Sequence, residues 1–343
     1  MKSSATSSPR QCSSCRAEGG RRRRWLGAAL LAALVSWAGV AQADTYPSRP
    51  IRLVVAFGTG SVNDIVARDL AQQMSATLGQ PVIVENRTGG GGTVGTQAVA
   101  KAAPDGYTIG LGTSSQLVMN VALFESLPFD VERDLQSIGL VSRTGMVLAA
   151  SAQMPATLAE LIAQARGKPG KLSFGSGGAG SISHIVGESF AKAAGVSLLH
   201  VPYKGNGAAM IDLSGGHVDL LFDSLLSAAP LAAQGRVRLL AVGGAKRSAL
   251  APDTPTFAEA GLPGFDGYTW NSLMVPAGTP APVIAALNAA LNVALASPAV
   301  QERLGRAGSV SLGPSTPQQA HEFARAERAR WVPFVRSLGI KPE

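Results

Sequence analysis

Three short stretches rich in glycine, serine and threonine each lie between an apolar run and an amphipathic one. They are Phe57-Gly58-Thr59-Gly60-Ser61-Val62-Asn63-Asp64, Thr113-Ser114-Ser115-Gln116 and residues 176–183, which open Ser176-Gly177-Gly178 and are followed by His184. Glycine lets a backbone approach a ligand closely. The N–H groups at the start of the following helix, with its positive dipole end, then favour an anion. One such loop often serves packing alone. Three of them point to capture of a small anion by dipoles rather than to bond-making chemistry.

Residues for catalysis are harder to assemble. His184, His200, His217 and His321 are scattered, with neither a second histidine nor an acid at metal-ligand spacing. No metal site is expected, and a lone histidine of this kind more often has a structural role. Ser176 lacks the G-x-S-x-G elbow of a nucleophile. Asp223 closes a short apolar strand, where it faces a cleft or caps the helix that starts at Ser224. The run Gly89 to Gly92 lacks the Lys-Ser/Thr of a phosphate-binding loop. A dinucleotide site is the rival reading. Residues 58–63 fall one glycine short of G-x-G-x-x-G, in a strand–turn–helix context, and Glu85 stands where a ribose-binding acid would. Against it, Asn63 replaces the third glycine and Asp64 brings a negative charge near the pyrophosphate position. That alternative is an exported NAD(P)-dependent oxidoreductase using the Gly58–Asn63 loop.

The elements that must position these loops follow a strand–helix alternation. Residues 51–57, 81–85 and 107–111 read as strands, with helices over 63–78 and up to about 101 between them. A second set has strands at 171–174, 198–202, 217–222 and 237–242, and helices at 183–194 and 208–213. A strand at 268–275 and helices at 282–295 and 320–338 complete the chain, the last kinked or interrupted at Pro333. Short connections in such an order predict a parallel sheet with right-handed crossovers, hence an α/β fold.

The first 43 residues differ from the rest. Arg21 to Arg24 precede an apolar run from Trp25 to Val40, and Ala41-Gln42-Ala43 supplies a small-x-small site. This is the pattern of a secretory signal, with cleavage expected after Ala43. The apolar run is short for a membrane anchor, the competing reading. Arginine pairs leave both the Sec and the twin-arginine routes open, and a start codon further downstream would account for the polar leader. Seven of the 30 Lys+Arg and one of the 22 Asp+Glu precede residue 44, so the remainder carries 23 against 21. A net +2 gives no electrostatic support for nucleic-acid binding. Cys12 and Cys15 also lie in the leader, so the exported chain has no cysteine. Once the leader is removed, no apolar stretch is long enough to span a bilayer.

Several longer motifs resemble one known family. They are Tyr46-Pro-Ser-Arg-Pro-Ile-Arg-Leu-Val-Val55, Leu78-Gly-Gln-Pro-Val-Ile-Val-Glu-Asn86, Ala103-Pro-Asp-Gly-Tyr-Thr108, Leu127-Pro-Phe-Asp130, Val201-Pro-Tyr-Lys-Gly205, Ala260-Gly-Leu-Pro-Gly-Phe265 and Pro276-Ala-Gly-Thr-Pro280. In order and over nearly the whole chain, they resemble the Bug-type receptors of tripartite tricarboxylate transporters. The resemblance implies a type II periplasmic binding fold: two α/β lobes joined by two crossing segments, with ligand in the cleft between them. Lobe 1 would comprise 44–144 and 266–343, and lobe 2 would comprise 145–265. It also implies a monomeric, non-enzymatic periplasmic protein without a cofactor. Such a receptor takes a di- or tricarboxylate, an acidic amino acid or an aromatic acid, closes on it about a hinge, and presents it to a membrane permease or a sensor. Carried onto this chain, the ligand lies against Phe57 to Asp64, Thr113 and Ser114 from one lobe. From the other come Ser176, Gly177, Gly178, His184, Tyr203, Lys204 and Asp223, where Lys204 is either the one nearby cation or a solvated loop lysine. The family's first loop usually reads Phe-Pro-Pro-Gly-Gly-x-x-Asp. Here both prolines are gone and Ser61 replaces a glycine, so the ligand is not inherited with the architecture.

Overall fold

The computed structural model describes residues 46–340; the signal reading, both cysteines and residues 341–343 lie outside them. The chain begins as predicted, with β1 (Ile51–Val55), α1 (Val62–Leu78), β2 (Val82–Asn86), α2 (Thr93–Ala100) and β3 (Thr108–Thr113). β1 runs parallel to both β2 and β3. α1 forms where it does because Ser61 caps its first turn and Gly79, at φ 67°, ends it in the left-handed region that glycine tolerates. Its buried face of Val66, Ala67, Leu70, Ala71 and Met74 packs on Ile51, Leu53 and Val55. Truncating a fully buried leucine such as Leu70 to alanine costs about 2–5 kcal/mol.

After a π-helical turn (Ser115–Met119) and the short α3 (Asn120–Leu123) comes β4 (Leu135–Ser151), 17 residues long and absent from the sequence-based expectation. The second set follows: α4 (Leu158–Gly167), β5 (Ser173–Ser176), α5 (Ile182–Ala194), β6 (Leu199–Pro202), α6 (Asn206–Gly215), β7 (Leu220–Ser224), α7 (Leu225–Ala233) and β8 (Val237–Val242). The chain ends with β9 (Tyr268–Pro276), α8 (Ala281–Ala296), α9 (Pro298–Arg306), β10 (Ser309–Ser311) and α10 (Pro317–Ser337). α10 starts three residues before the predicted 320 and runs on through Pro333, which forfeits a single helical N–H bond. No single described helix is long and apolar enough to cross a membrane.

The sheet is mixed, not parallel as expected. Its order is β2-β1-β3-β9-β4-β7-β5-β6. β4 is antiparallel to every partner: residues 135–145 pair with β9 and residues 146–151 with β7 and β8. One strand therefore serves both sets of elements, and β9 returns alongside it. The first set closes over a Val/Leu/Ile core with Leu287 and Leu291 of α8. The second closes over Phe174, Phe190, Phe222, Phe257 and Phe265, the last two edge to face at 4.7 Å.

Where β4 changes partners, three backbones meet without side chains. A Cβ on Gly145 would overlap the carbonyl oxygen of Gly243, and one on Gly243 would overlap that of Gly267. The Met146 N–H donates to Gly267 O and the Gly243 N–H to Met146 O, both at 2.9 Å. Asp266 accepts from the Gly244 N–H at 2.8 Å and faces Arg143 at 3.4 Å, whose guanidinium lies 3.9 Å over the Tyr268 ring. Buried Glu327 of α10 then takes both the Tyr268 hydroxyl and the Trp270 indole N–H, each at 2.9 Å.

Candidate functional site

The first loop leaves β1 and bends at Gly60, φ 83°, a conformation that favours glycine. The Ser61 hydroxyl is drawn into the helix cap, accepting the Asp64 N–H at 3.2 Å. Asp64 points inward. Its buried carboxylate accepts from Arg68 at 3.0 Å, and from the Gly60 N–H and the Asn86 amide at 2.9 Å. Hydrogen bonding from Arg68, more than any other cause, holds this carboxyl down at about 2. Asn86 also donates to Phe57 O at 2.9 Å and receives the Thr59 hydroxyl at 3.3 Å. Asp64 and Asn86 are thus the frame of this loop. What remains on its surface is Phe57, Gly58, Thr59, Gly60, Val62 and Asn63. The N–H groups of Val62 and Asn63 have no intrahelical acceptor.

This geometry works against the dinucleotide reading. The Gly60 N–H that would serve a pyrophosphate is given to Asp64, whose ionised carboxylate would repel one. Glu85, the candidate ribose acid, is instead paired with Arg87 at 2.6 Å and Arg52 at 3.8 Å.

The second loop sits beside the first, because Val55 of β1 is in register with Leu111 of β3, two residues before Thr113. The Thr113 N–H donates to Gln116 Oε1 at 2.8 Å. Its hydroxyl and that of Ser114 are buried, yet neither has a hydrogen-bond partner among the described residues. Such hydroxyls are rare, because a buried polar group without a partner costs free energy. Thr113 is also in register with buried Asn271 of β9, whose amide donates to Ser142 at 3.3 Å. The sequence reading singled out neither Asn86 nor Asn271 as a site residue; Asn86 ended a quoted motif, while Asn271 lay inside a plain apolar strand.

In the second set, the loop 176–183 is held from beneath. The Gly177 N–H donates to Ser183 Oγ at 3.0 Å, Gly178 N–H to Ser176 Oγ at 3.2 Å and Gly180 N–H to His184 Nδ1 at 3.1 Å. Ser176 and His184 are buried supports of this loop. Ser183 donates to Asn206 Oδ1 at 2.8 Å, and the Asn206 amide donates to Asp223 Oδ1 at 3.0 Å. Asn206 ties α5, α6 and β7 together and was not foreseen; only its place just after Gly205 hinted at a helix start. Asp223 accepts the Ser224 N–H at 2.8 Å, but the cap of α7 is Ser224, whose side chain accepts from Ser227 N. The Tyr203 hydroxyl turns to Asp212 at 2.8 Å, and burial with that bond pushes it up to about 12. Lys204 is exposed and makes no ion pair among the described residues.

The Ser176 hydroxyl lies 2.6 Å from His200 Nε2, the spacing of a nucleophile and its base. Ser176 is fully buried, however, and burial, then the neighbouring His184, hold the His200 imidazole down at about 4. It is a weak base for activating a buried hydroxyl. Among the described residues no three His, Cys, Asp or Glu side chains group as metal ligands. A groove of about 820 Å³ lies elsewhere, between residues 121–132 and α10, and none of the candidate ligand-binding residues lines it.

The sequence profile described as tripartite tricarboxylate transporter family receptor matches residues 66–340. Protein BugT of Bordetella pertussis is 38% identical over 318 residues, 91% of this chain and 97% of that protein. An R. palustris protein solved with adipate shares 33% identity at a TM-score of 0.74, covering 87% of this chain and all of that one. MatC from Rhodopseudomonas palustris, solved with bound malate, shares 34% identity at a TM-score of 0.71, covering 84% of this chain and all of that one.

Proposed function

The chain belongs to the tripartite tricarboxylate transporter receptor family, and from that premise we propose that it captures a small carboxylate in the periplasm and presents it to a membrane permease. The observation that carries this reading is the pair of buried hydroxyls of Thr113 and Ser114, without hydrogen-bond partners among the described residues, at the end of β3 and next to β1, the strand that leads into α1. A carboxylate there would accept both hydroxyls and the Val62 and Asn63 N–H groups, and the helix dipole would favour its charge. None of these donors carries a formal charge. No buried ion pair has to be broken for release, which suits delivery to a second protein.

We assign residues 46–144 and 266–340 to one lobe and 145–265 to the other. The partner change of β4 at residues 145–146 supports that division. Closure then turns about the glycine contact of Gly145, Gly243 and Gly267, bringing the 176–183 loop over the bound acid. Relatives with malate and adipate make dicarboxylates the first ligands to try. The function is binding and release, not turnover.

A thermal-shift screen on refolded, ligand-stripped protein tests this. The panel holds di- and tricarboxylates, acidic amino acids, aromatic acids and nicotinamide dinucleotides. An acid at about a thousand times its Kd adds roughly 4 kcal/mol and raises the midpoint by several degrees. A shift with a dinucleotide and with no acid would overturn the proposal in favour of a cofactor site after Phe57.

A further inference from the structure

His184 and His200 come from different elements, α5 and β6, yet their rings stack at 3.6 Å and 6° directly beneath the 176–183 loop. His184 Nδ1 accepts the Gly180 N–H, so its proton sits on Nε2, which faces Glu188 at 3.7 Å. His200 Nε2 meets Ser176 Oγ, the same oxygen that accepts the Gly178 N–H. Two of the loop's glycine N–H groups therefore hang on imidazole nitrogens, one directly and one through a serine.

We propose that the stacked imidazoles of His184 and His200 are positioning residues that couple the shape of this loop to pH, so that proton uptake loosens it and weakens ligand capture. This rests on the reading of the 176–183 loop as part of the binding site.

The chemistry follows from the donors. A proton added at His184 Nδ1 sets N–H against the Gly180 N–H and expels it. A proton added at His200 Nε2 makes that nitrogen a donor to Ser176 Oγ, so the Ser176 hydroxyl turns its own proton away from the ring, toward Gly178 O at 3.2 Å, and the polar contacts of Gly178 change. Two positive rings in face-to-face contact repel, so the pair takes up its protons in separate steps. The groups around the stack are few. Phe174 packs against both rings and is apolar. The charged groups acting on His200 are His184, which opposes protonation, and Glu188, which favours it. Lys192, one turn further along α5, lies over the Phe334 ring of α10. Burial, then the neighbouring His184, hold the His200 imidazole down at about 4, which places its change in the acid range.

The test is an amide titration by NMR on ¹⁵N-labelled, ligand-free protein from pH 7.5 to 3.5. The expected result is that the Gly178 and Gly180 amides move with pH, the Gly178 amide along the proton-binding curve of His200 at about 4. The comparison is the double variant His184→Asn and His200→Gln, which keeps a polar side-chain group at each place but cannot titrate there. Its glycine amides should lie near the wild-type positions at pH 7.5 and lose the titration. Wild-type amides that stay still, or variant amides that titrate as before, would overturn the coupling. Malate and adipate affinities of the wild type and the double variant at pH 7.5 and 3.5 form the second arm, the variant cancelling protonation of the acids themselves. A titrating loop with an affinity that falls at least about twofold further in the wild type than in the variant supports the whole proposal, and a titrating loop with an affinity that falls no further than the variant's overturns the link to capture. A loop that titrates in a protein binding no acid at either pH would instead refute the receptor reading.

Discussion

Replacing Thr113 by Val and Ser114 by Ala should make the ligand-free protein more stable while crippling its binding. Both hydroxyls are buried without a partner among the described residues, and each unsatisfied buried polar atom costs about 1–3 kcal/mol. Valine matches threonine in shape and removes only the hydroxyl's polarity, and Ser114→Ala removes one small atom. The two sites are adjacent and share surroundings, so their effects will not simply add. A gain of about 2 kcal/mol is a fair expectation for the pair. In a domain of this size that raises the melting midpoint by roughly 4 °C. The same hydroxyls would each give a bound carboxylate a charge-assisted hydrogen bond of about 1.5–3 kcal/mol. Affinity should then fall by a factor of about ten or more for each one lost. Urea denaturation without ligand measures the first effect, and calorimetry with the acid giving the largest thermal shift measures the second. A double variant that is less stable than wild type, or that binds as tightly, would refute the reasoning.

Other changes probe the frame around the site. Asp64→Asn removes a carboxylate whose folded value is lowered from 3.8 to about 2 by Arg68. Discounted because Arg68 is half exposed, this stabilises by about 1–2 kcal/mol at neutral pH. Since the folded value is depressed, the wild-type advantage is complete above about pH 4 and fades as pH falls toward 2, which urea midpoints at pH 7 and 3 will show. Gly243→Ala drives a Cβ into the backbone of Gly267. It should cost about 1–3 kcal/mol and abolish closure, read as no ligand-induced compaction in small-angle scattering. Glu327→Gln leaves either Tyr268 or Trp270 facing an amide donor. It should lower stability by about 1–3 kcal/mol, and adding Tyr268→Phe should recover part of that loss in the urea midpoint.

Much of this protein is legible along the chain. The period of apolar residues locates β1, α1 and β2, and similar signals locate most helices, because these depend on neighbours within a few residues. The loops after β1, β3 and β5 are legible for the same reason. β4 is not. Buried on both sides along most of its length, and interrupted by Gly139 and Gly145, residues 135–151 show no alternation that marks a strand. Its antiparallel pairing with β9, which helps make the sheet mixed, follows from contacts with residues more than a hundred positions away. Side-chain direction in the loops was likewise decided in three dimensions. Asp64 turned inward because Arg68, Asn86 and the Gly60 N–H met it there, and Tyr203 turned to Asp212. The sequence alone determined which residues could offer dipoles to an anion. The tertiary structure decided which of them already have partners, because a hydrogen bond satisfied inside the fold is no longer available to a ligand.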